Sequence, residues 1–375
     1  MIIVWRYLLV QYIKVLGLSL TAFIAVLLTT RLEDIAHFAS LGAESLYVLK
    51  FALYQIPYIL PIVIPISSLI SSLILVERLS QSHELTALRA SGLSIKMIFA
   101  PILIVACYLS LFNFYIVSEI ATESHLTTNT LKSELRQVNP LLVLHNKHMM
   151  RLKGIFFDAL GESKIGESAS DIILAMPGKG EGQMNLLIAK NLSASDSNFS
   201  GSFLTYISSI KSDPKKNFDQ LIVENIEKSV TPIRDFSKTL QKKIFQINND
   251  HLNLRLLLTK IQEEQNMLSN PEGDIKTLRR NLNRSLTEII RRVSIAIATF
   301  TFTLMGLSFG ASISRHGTNR LFFLIGLAAF YLISYFVAKS IEYQLVASFT
   351  LYLVPHLIIS FFSTRNLLKL SKGIE

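Results

Sequence analysis

The chain is short of charge. Of its 375 residues only 17% are Asp, Glu, Lys or Arg, against roughly 25% in an ordinary soluble domain. It has a single cysteine, Cys107, so no disulfide can close within it and cysteine usage does not report the redox compartment. It lacks G-x-x-x-x-G-K-[ST], which excludes nucleotide binding through a P-loop. It also lacks H-E-x-x-H, paired C-x-x-C and G-x-S-x-G, which leaves a membrane-embedded enzyme without a catalytic constellation. His145 and His148 stand three apart with no acidic residue or cysteine beside them, short of the ligand count of a metal site.

Hydrophobic residues make up 50% of the chain, and their placement is what informs. Six windows hold no Asp, Glu, Lys or Arg: 15–30, 51–76, 97–118, 293–314, 321–338 and 343–364. Five of them have 18 or more residues, and roughly 20 apolar residues in a helix cross a ~30 Å hydrocarbon core. The first window reaches that length if it starts near Tyr7, with Lys14 snorkelling to the head groups. It runs on to Thr30 without a small-x-small cleavage site, so it reads as an uncleaved span rather than a signal peptide.

Charge sets the expected orientation. Arg6, Arg78, Arg89, Lys96, Arg315, Arg320, Arg365, Lys369 and Lys372 flank one side of the spans, and only Arg31, Lys50 and Lys339 the other. The positive-inside rule places both termini in the cytoplasm and the long segment 119–288 outside. That segment carries 22 basic against 20 acidic residues, a net of +2, while the rest carries 15 against 7, a net of +8. The overall +10 therefore belongs mainly to membrane flanks, which argues against a nucleic-acid partner.

Segment 119–288 reads as a soluble insertion. Runs at 149–157, 172–176, 184–192, 203–210 and 220–226 have strand character, with turn-forming clusters at 161–166, 177–182, 193–201 and 211–217 between them. Short strands at this spacing suggest a sandwich or jelly roll, flanked by helical stretches at 123–138 and 252–268. The expected fold is an α-helical polytopic membrane protein of six transmembrane helices with an inserted periplasmic all-β, jelly-roll-like domain. The divisions are 1–118 (spans one to three), 119–288 (insertion) and 289–375 (spans four to six).

Within the spans, Pro57, Pro61 and Pro65 each remove a backbone donor from span two. They serve either a flexible cavity wall or a static kink. His356 in span six is either a functional polar group or a hydrogen-bonded packing contact. Between spans two and three, about 77–92, lies a short amphipathic helix closed by Gly92. Its Glu84, Leu85, Leu88 and Arg89 suit docking into a groove of a cytoplasmic partner or a solvated interfacial helix.

The stretch Ser-His-Glu84-Leu-Thr-Ala-Leu-Arg-Ala-Ser-Gly92 resembles the "S-E-hydrophobic-x-x-(M/L)-x-A-(S/C)-G" coupling motif of the lipopolysaccharide export permeases, the LptF/LptG (YjgP/YjgQ) family. The opening Arg6-Tyr7-Leu resembles that family's "R-Y-hydrophobic" start, and three spans, a large insertion and three spans repeat its layout. Arg292, Ser314-Arg-His-Gly317 and Pro355 sit where the family keeps similar residues. The chain departs from the pattern at Ile295-Ala296, where a proline is frequent, and at His356, where Asn is frequent.

The resemblance implies a permease subunit of an ABC transporter that extracts lipopolysaccharide from the inner membrane and passes it to periplasmic bridge proteins. It implies a paralogous six-span partner and a cytoplasmic ABC ATPase dimer. This chain would hold no cofactor, ATP and Mg being bound by the ATPase. Glu84, Leu85, Leu88, Arg89 and Gly92 would then couple to the ATPase, while Arg31, Lys50, Pro57 and Pro61 would line the lipid gate and cavity. A different class, a membrane mechanotransducer or sensor whose outer domain binds a protein, fits the same layout.

Overall fold

A computed structural model describes residues 2–40, 45–138, 150–152, 155–161, 163–164, 168–177, 184–195, 198–210, 220–232, 248–269, 274–316 and 318–372. Among these the helices are α1 (Ile2–Thr29), α2 (Leu32–Ser40), α3 (Ser45–Gln81), α4 (Glu84–Ala90), α5 (Ile95–Tyr115), α6 (Ala121–Val138), α7 (Leu254–Ser269), α8 (Ile275–His316), α9 (Thr318–Ser340) and α10 (Leu345–Ser371). A π-helical turn, Ile116–Ile120, joins α5 to α6, and a 3-10 turn, Asn249–His251, precedes α7. Six helical stretches are long and apolar enough to cross a membrane: Ile2–Thr29, Ser45–Gln81, Ile95–Lys132, Ile275–Ala311, Arg320–Ser340 and Leu345–Ser371. The six spans expected from the charge-free windows are therefore present.

The chain divides into two compact units, one of residues 1–32, 52–126 and 247–375, the other of 33–51 and 127–246. In the first, α8 is the hub. Its apolar window is 83% buried, against 17% for that of α1, and it packs on α5, α7, α9 and α10. Small residues let α3 and α8 approach at backbone distance. A Cβ on Gly306 would stand 2.6 Å from the Leu69 carbonyl oxygen, and one on Gly310 would stand 2.9 Å from Val76 Cβ. Ser67, Ser68, Ser71 and Ser72 of α3 are fully buried. Ser71 Oγ lies 2.9 Å from Ser19 Oγ of α1, and Ser68 Oγ donates to the Pro65 carbonyl at 2.7 Å.

The second unit holds one antiparallel sheet of β1 (Met150–Leu152), β2 (Ile155–Ala159), β3 (Ser163–Lys164), β4 (Ser168–Pro177), β5 (Met184–Ser195), β6 (Asn198–Ile210) and β7 (Gln220–Pro232). Its order is β1-β2-β4-β5-β6-β7, with β3 beside β4. Strands occur in every expected run, although 149–157 holds two antiparallel strands, β1 and β2, in place of one; the described residues form a meander in a single sheet, not the two facing sheets of a jelly roll. The expected turn at 193–201 is shorter, because β5 and β6 stay paired out to Ser195 and Asn198. The expected insertion 119–288 also differs from the compact strand unit, which takes in 33–51 and leaves 247–288 with the helices. The turn cluster 211–217 lies outside the described residues.

Candidate functional site

The α3–α5 connection is built by local chemistry. At its entry His83 takes φ 60, and Ser82 Oγ caps the Arg78 carbonyl at 2.9 Å. At the exit of α4 the Gly92 N–H reaches the Arg89 carbonyl at 3.0 Å and the Leu93 N–H reaches that of Leu88 at 3.2 Å. This is a Schellman closure whose left-handed position, φ 87 at Gly92, favours glycine. Ser94 then caps α5 through its side chain.

Leu85 is 5% exposed and belongs to the chain's own core with Leu8, Tyr12, Leu75, Leu79, Ile98 and Phe99, and Leu88 packs against that core. The shared face expected to meet a partner thus turns inward at Leu85 and seats α4 on the bundle. The outer surface of α4 is Thr86, Ala87 and Ala90, with Glu84 and Arg89 half-buried at its margin. Both Glu84 oxygens are engaged: Tyr7 donates its hydroxyl to Oε2 at 3.0 Å, and Ser82 donates to Oε1 at 3.1 Å. The Tyr7 contact went unread in the sequence, since the two residues lie 77 positions apart. Beside it, Arg78 Nη1 donates to Gln11 Oε1 at 3.2 Å, and Trp5 Nε1 donates to the Met97 carbonyl at 3.2 Å. Pro101 lacks the N–H that would otherwise occupy that carbonyl.

At the opposite end of the bundle a cavity of about 280 Å³ is lined by Arg31, Tyr58, Pro61, Thr122, Asp250, Arg291, Tyr335 and Lys339, among others. The Arg31 guanidinium lies 5.1 Å from the Tyr58 ring centre, within cation–π range. Tyr58 stacks on His125 at 4.6 Å, and His125 meets His251 at 4.5 Å. Burial opposes ionisation of Asp250, but Arg291 and Lys339 outweigh it and hold its carboxyl below the usual carboxylate range. Burial pushes the His251 imidazole below its ordinary value, with Asp250 opposing. His251 Nδ1 accepts from the Asn248 N–H at 3.0 Å, so the neutral ring is the one built into the turn.

The wall of this cavity is tied to the entry of span four. Glu288 receives Arg291 at 2.7 and 2.6 Å and Arg292 at 2.8 Å. Arg291 Nη1 donates to the Tyr335 hydroxyl oxygen at 2.9 Å. Arg292 is fully buried and donates to the carbonyls of Asn249 and Leu252 at 3.1 and 2.7 Å. Sequence reasoning missed Asp250, Arg291 and Lys339 as cavity residues. The Glu288-x-x-Arg291-Arg292 spacing was the signal available, because i,i+3 and i,i+4 residues face each other on a helix.

Pro61 lines the cavity, and Pro57 lies one turn away in α3. The Pro61 carbonyl, freed by Pro65, accepts Asn113 Nδ2 at 3.2 Å, so the freed carbonyl at the centre of α3 is braced from α5. Lys50 belongs to the other compact unit, where it is exposed, its ammonium 5.7 Å from the Tyr47 ring centre. His356 has both ring nitrogens engaged, with Ser294 Oγ at 3.0 Å and Thr301 Oγ1 at 3.1 Å, a packing contact between α8 and α10. Among the described residues no His, Cys, Asp and Glu cluster could hold a metal. His145, His148 and Gly317 lie outside them.

Six apolar spans, with a short helix seated on the bundle at one end and a cation-lined cavity at the other, define a multi-pass membrane protein. The family described as lipopolysaccharide export system permease LptF/LptG matches residues 6–369, nearly the whole chain, and the chain belongs to that family. It is accordingly a lipopolysaccharide export permease, a transport component and not an enzyme. A comparison with curated proteins gives no match.

Proposed function

We propose that this chain is one permease subunit of an ABC transporter. With a paralogous six-span partner it lifts lipopolysaccharide out of the inner membrane and delivers it to periplasmic bridge proteins. A cytoplasmic ATPase dimer binds ATP and Mg and supplies the work. Both termini and α4 face the cytoplasm. The strand unit faces the periplasm and receives the lipid on its way to the bridge.

The observation that carries this reading is α4 itself. Leu85 and Leu88 root it in the bundle core, while Thr86, Ala87 and Ala90 stay outward. A push on that surface is therefore delivered to packed spans instead of being lost in a loop. Arg31, beside Tyr58 and Lys339, offers cations to lipid phosphates where apolar walls begin.

The test is purification of the complex followed by mass spectrometry of bound lipid and by Glu84→Ala. Stoichiometric lipopolysaccharide, with ATP hydrolysis uncoupled from release or ATPase association weakened in the variant, supports the proposal. A protein ligand without lipid supports the sensor class instead. Arg31→Gln should reduce lipopolysaccharide crosslinking at the gate, and an unchanged yield removes Arg31 from the site.

A further inference from the structure

Three side chains in the first turns of α1 reach three consecutive elements. Gln11 takes Arg78 at the end of α3, Tyr7 reaches Glu84 in α4, and Trp5 reaches the Met97 carbonyl near the start of α5. Leu8 and Tyr12, fully buried between these contacts, pack with Leu79, Leu85 and Ile98 in one core. The α3–α5 connection is thus clasped along its length by one helix. That helix has 28 residues, about 42 Å at 1.5 Å per residue, and Arg31 follows its far end at the cavity.

We infer that Tyr7 is a positioning residue: by holding the Glu84 carboxylate it fastens the coupling helix to α1, so that displacement of α4 moves the helix that ends at the gate. The chemistry is specific. A carboxylate is an acceptor only and needs donors; Ser82 lies two residues from Glu84 in the same connection, so its bond cannot transmit motion out of that connection. The Tyr7 hydroxyl is the donor that comes from another span. A charge-assisted hydrogen bond holds direction better than apolar contact, which permits sliding. Tyr7 is 41% exposed, so removing its hydroxyl leaves no void in the core.

This inference rests on the reading of Glu84 as the coupling group, and the test separates the two. In nanodiscs holding this chain, its partner permease and the ATPase, one measures ATPase retention, ATP hydrolysis and lipopolysaccharide released per ATP. The variants are Tyr7→Phe, Glu84→Ala and both together. Tyr7→Phe should keep the ATPase bound and the detergent melting point unchanged while release per ATP falls roughly ten-fold, the scale of a lost hydrogen bond to a charged group. The double variant should be no worse than Glu84→Ala, because the two side chains act through one contact.

Wild-type coupling in Tyr7→Phe, or defects that multiply in the double variant, overturns the role of Tyr7 and leaves that of Glu84 standing. Normal coupling in Glu84→Ala overturns both. A Tyr7→Phe defect that tracks a lowered melting point makes Tyr7 a stability residue and also overturns the inference.

Discussion

Replacing Gly306 by alanine tests the packing of the bundle most directly. The new Cβ would overlap Ser72 Oγ, which can rotate away, but it would also stand 2.6 Å from the Leu69 carbonyl oxygen and 3.0 Å from the Leu73 nitrogen. Backbone atoms of α3 cannot step aside singly. Contact becomes ordinary at 3.4 Å, so the helices must part locally by roughly 0.8 Å or strain, and such overpacking costs about 1–3 kcal/mol. The natural control is Gly326→Ala, where nothing lies within 4 Å. Both variants share the gain of about 0.5–1 kcal/mol for alanine over glycine in a helix, so their difference isolates the packing term. Unfolding of the purified protein in mixed micelles should place Gly306→Ala below Gly326→Ala by about 1–3 kcal/mol, roughly five-fold to more than a hundred-fold in the equilibrium constant. Ser72→Ala should recover only part of it. Equal stabilities would show that α3 and α8 do not meet backbone to backbone at this level.

Other perturbations have similarly defined outcomes. Gly92→Ala meets open space but places a side chain at φ 87; it should cost about 1–2 kcal/mol in the same assay, with Gly92→Asn costing less. Asn113→Leu strips donors from the Pro61 and Ile295 carbonyls and should cost about 1–3 kcal/mol. That cost should shrink in a Pro65→Ala background, where residue 65 regains an N–H, and additive effects would reject the bracing role. For His251 the folded value lies below 6.5, so the unfolded chain takes up the proton first. Its contribution is whole above pH 6.5 and is lost as pH falls through the folded value. The melting point should fall below pH 6.5 with a shallower slope in His251→Gln, and identical slopes would remove His251 as a contributor.

The spans were legible because charge is costly in hydrocarbon: a window either excludes it or does not, and no tertiary information is needed. The strands were legible from alternation and turn residues, although the 193–201 cluster of Ser, Asn and Gly was tolerated inside a paired hairpin that its composition argued against. Leu85 shows where pattern reading ends. An amphipathic helix has an apolar face, but sequence does not say whether its own chain or another covers it. Here Leu8, Tyr12 and Ile98 do. The unit boundary was hidden for a similar reason. Residues 248–269 are polar enough for an aqueous domain, yet Arg292 ties Asn249 and Leu252 to α8 and α7 packs on α8, so they belong with the helices.

That tie also decides which cations give the cavity its character. A buried guanidinium is tolerable only where carboxylates and carbonyls meet it. Arg291 and Arg292 share Glu288 as a common acceptor; Arg291 Nη1 also donates to Tyr335, and Arg292 Nη2 to the Asn249 and Leu252 carbonyls. Asp250 stands 3.9 Å from Arg291 and supplies the second negative charge. Two guanidiniums against two carboxylates leave that wall close to neutral, a joint and not an anion trap. Arg31 and Lys339, from the ends of α1 and α9, also line the space. A cation carried at the end of a span moves with that span, whereas the Glu288–Arg291–Arg292 cluster stays with α8. Under the proposed function, the pull of Arg31 on an anionic lipid would be carried by α1, the same helix whose other end holds Glu84 through Tyr7.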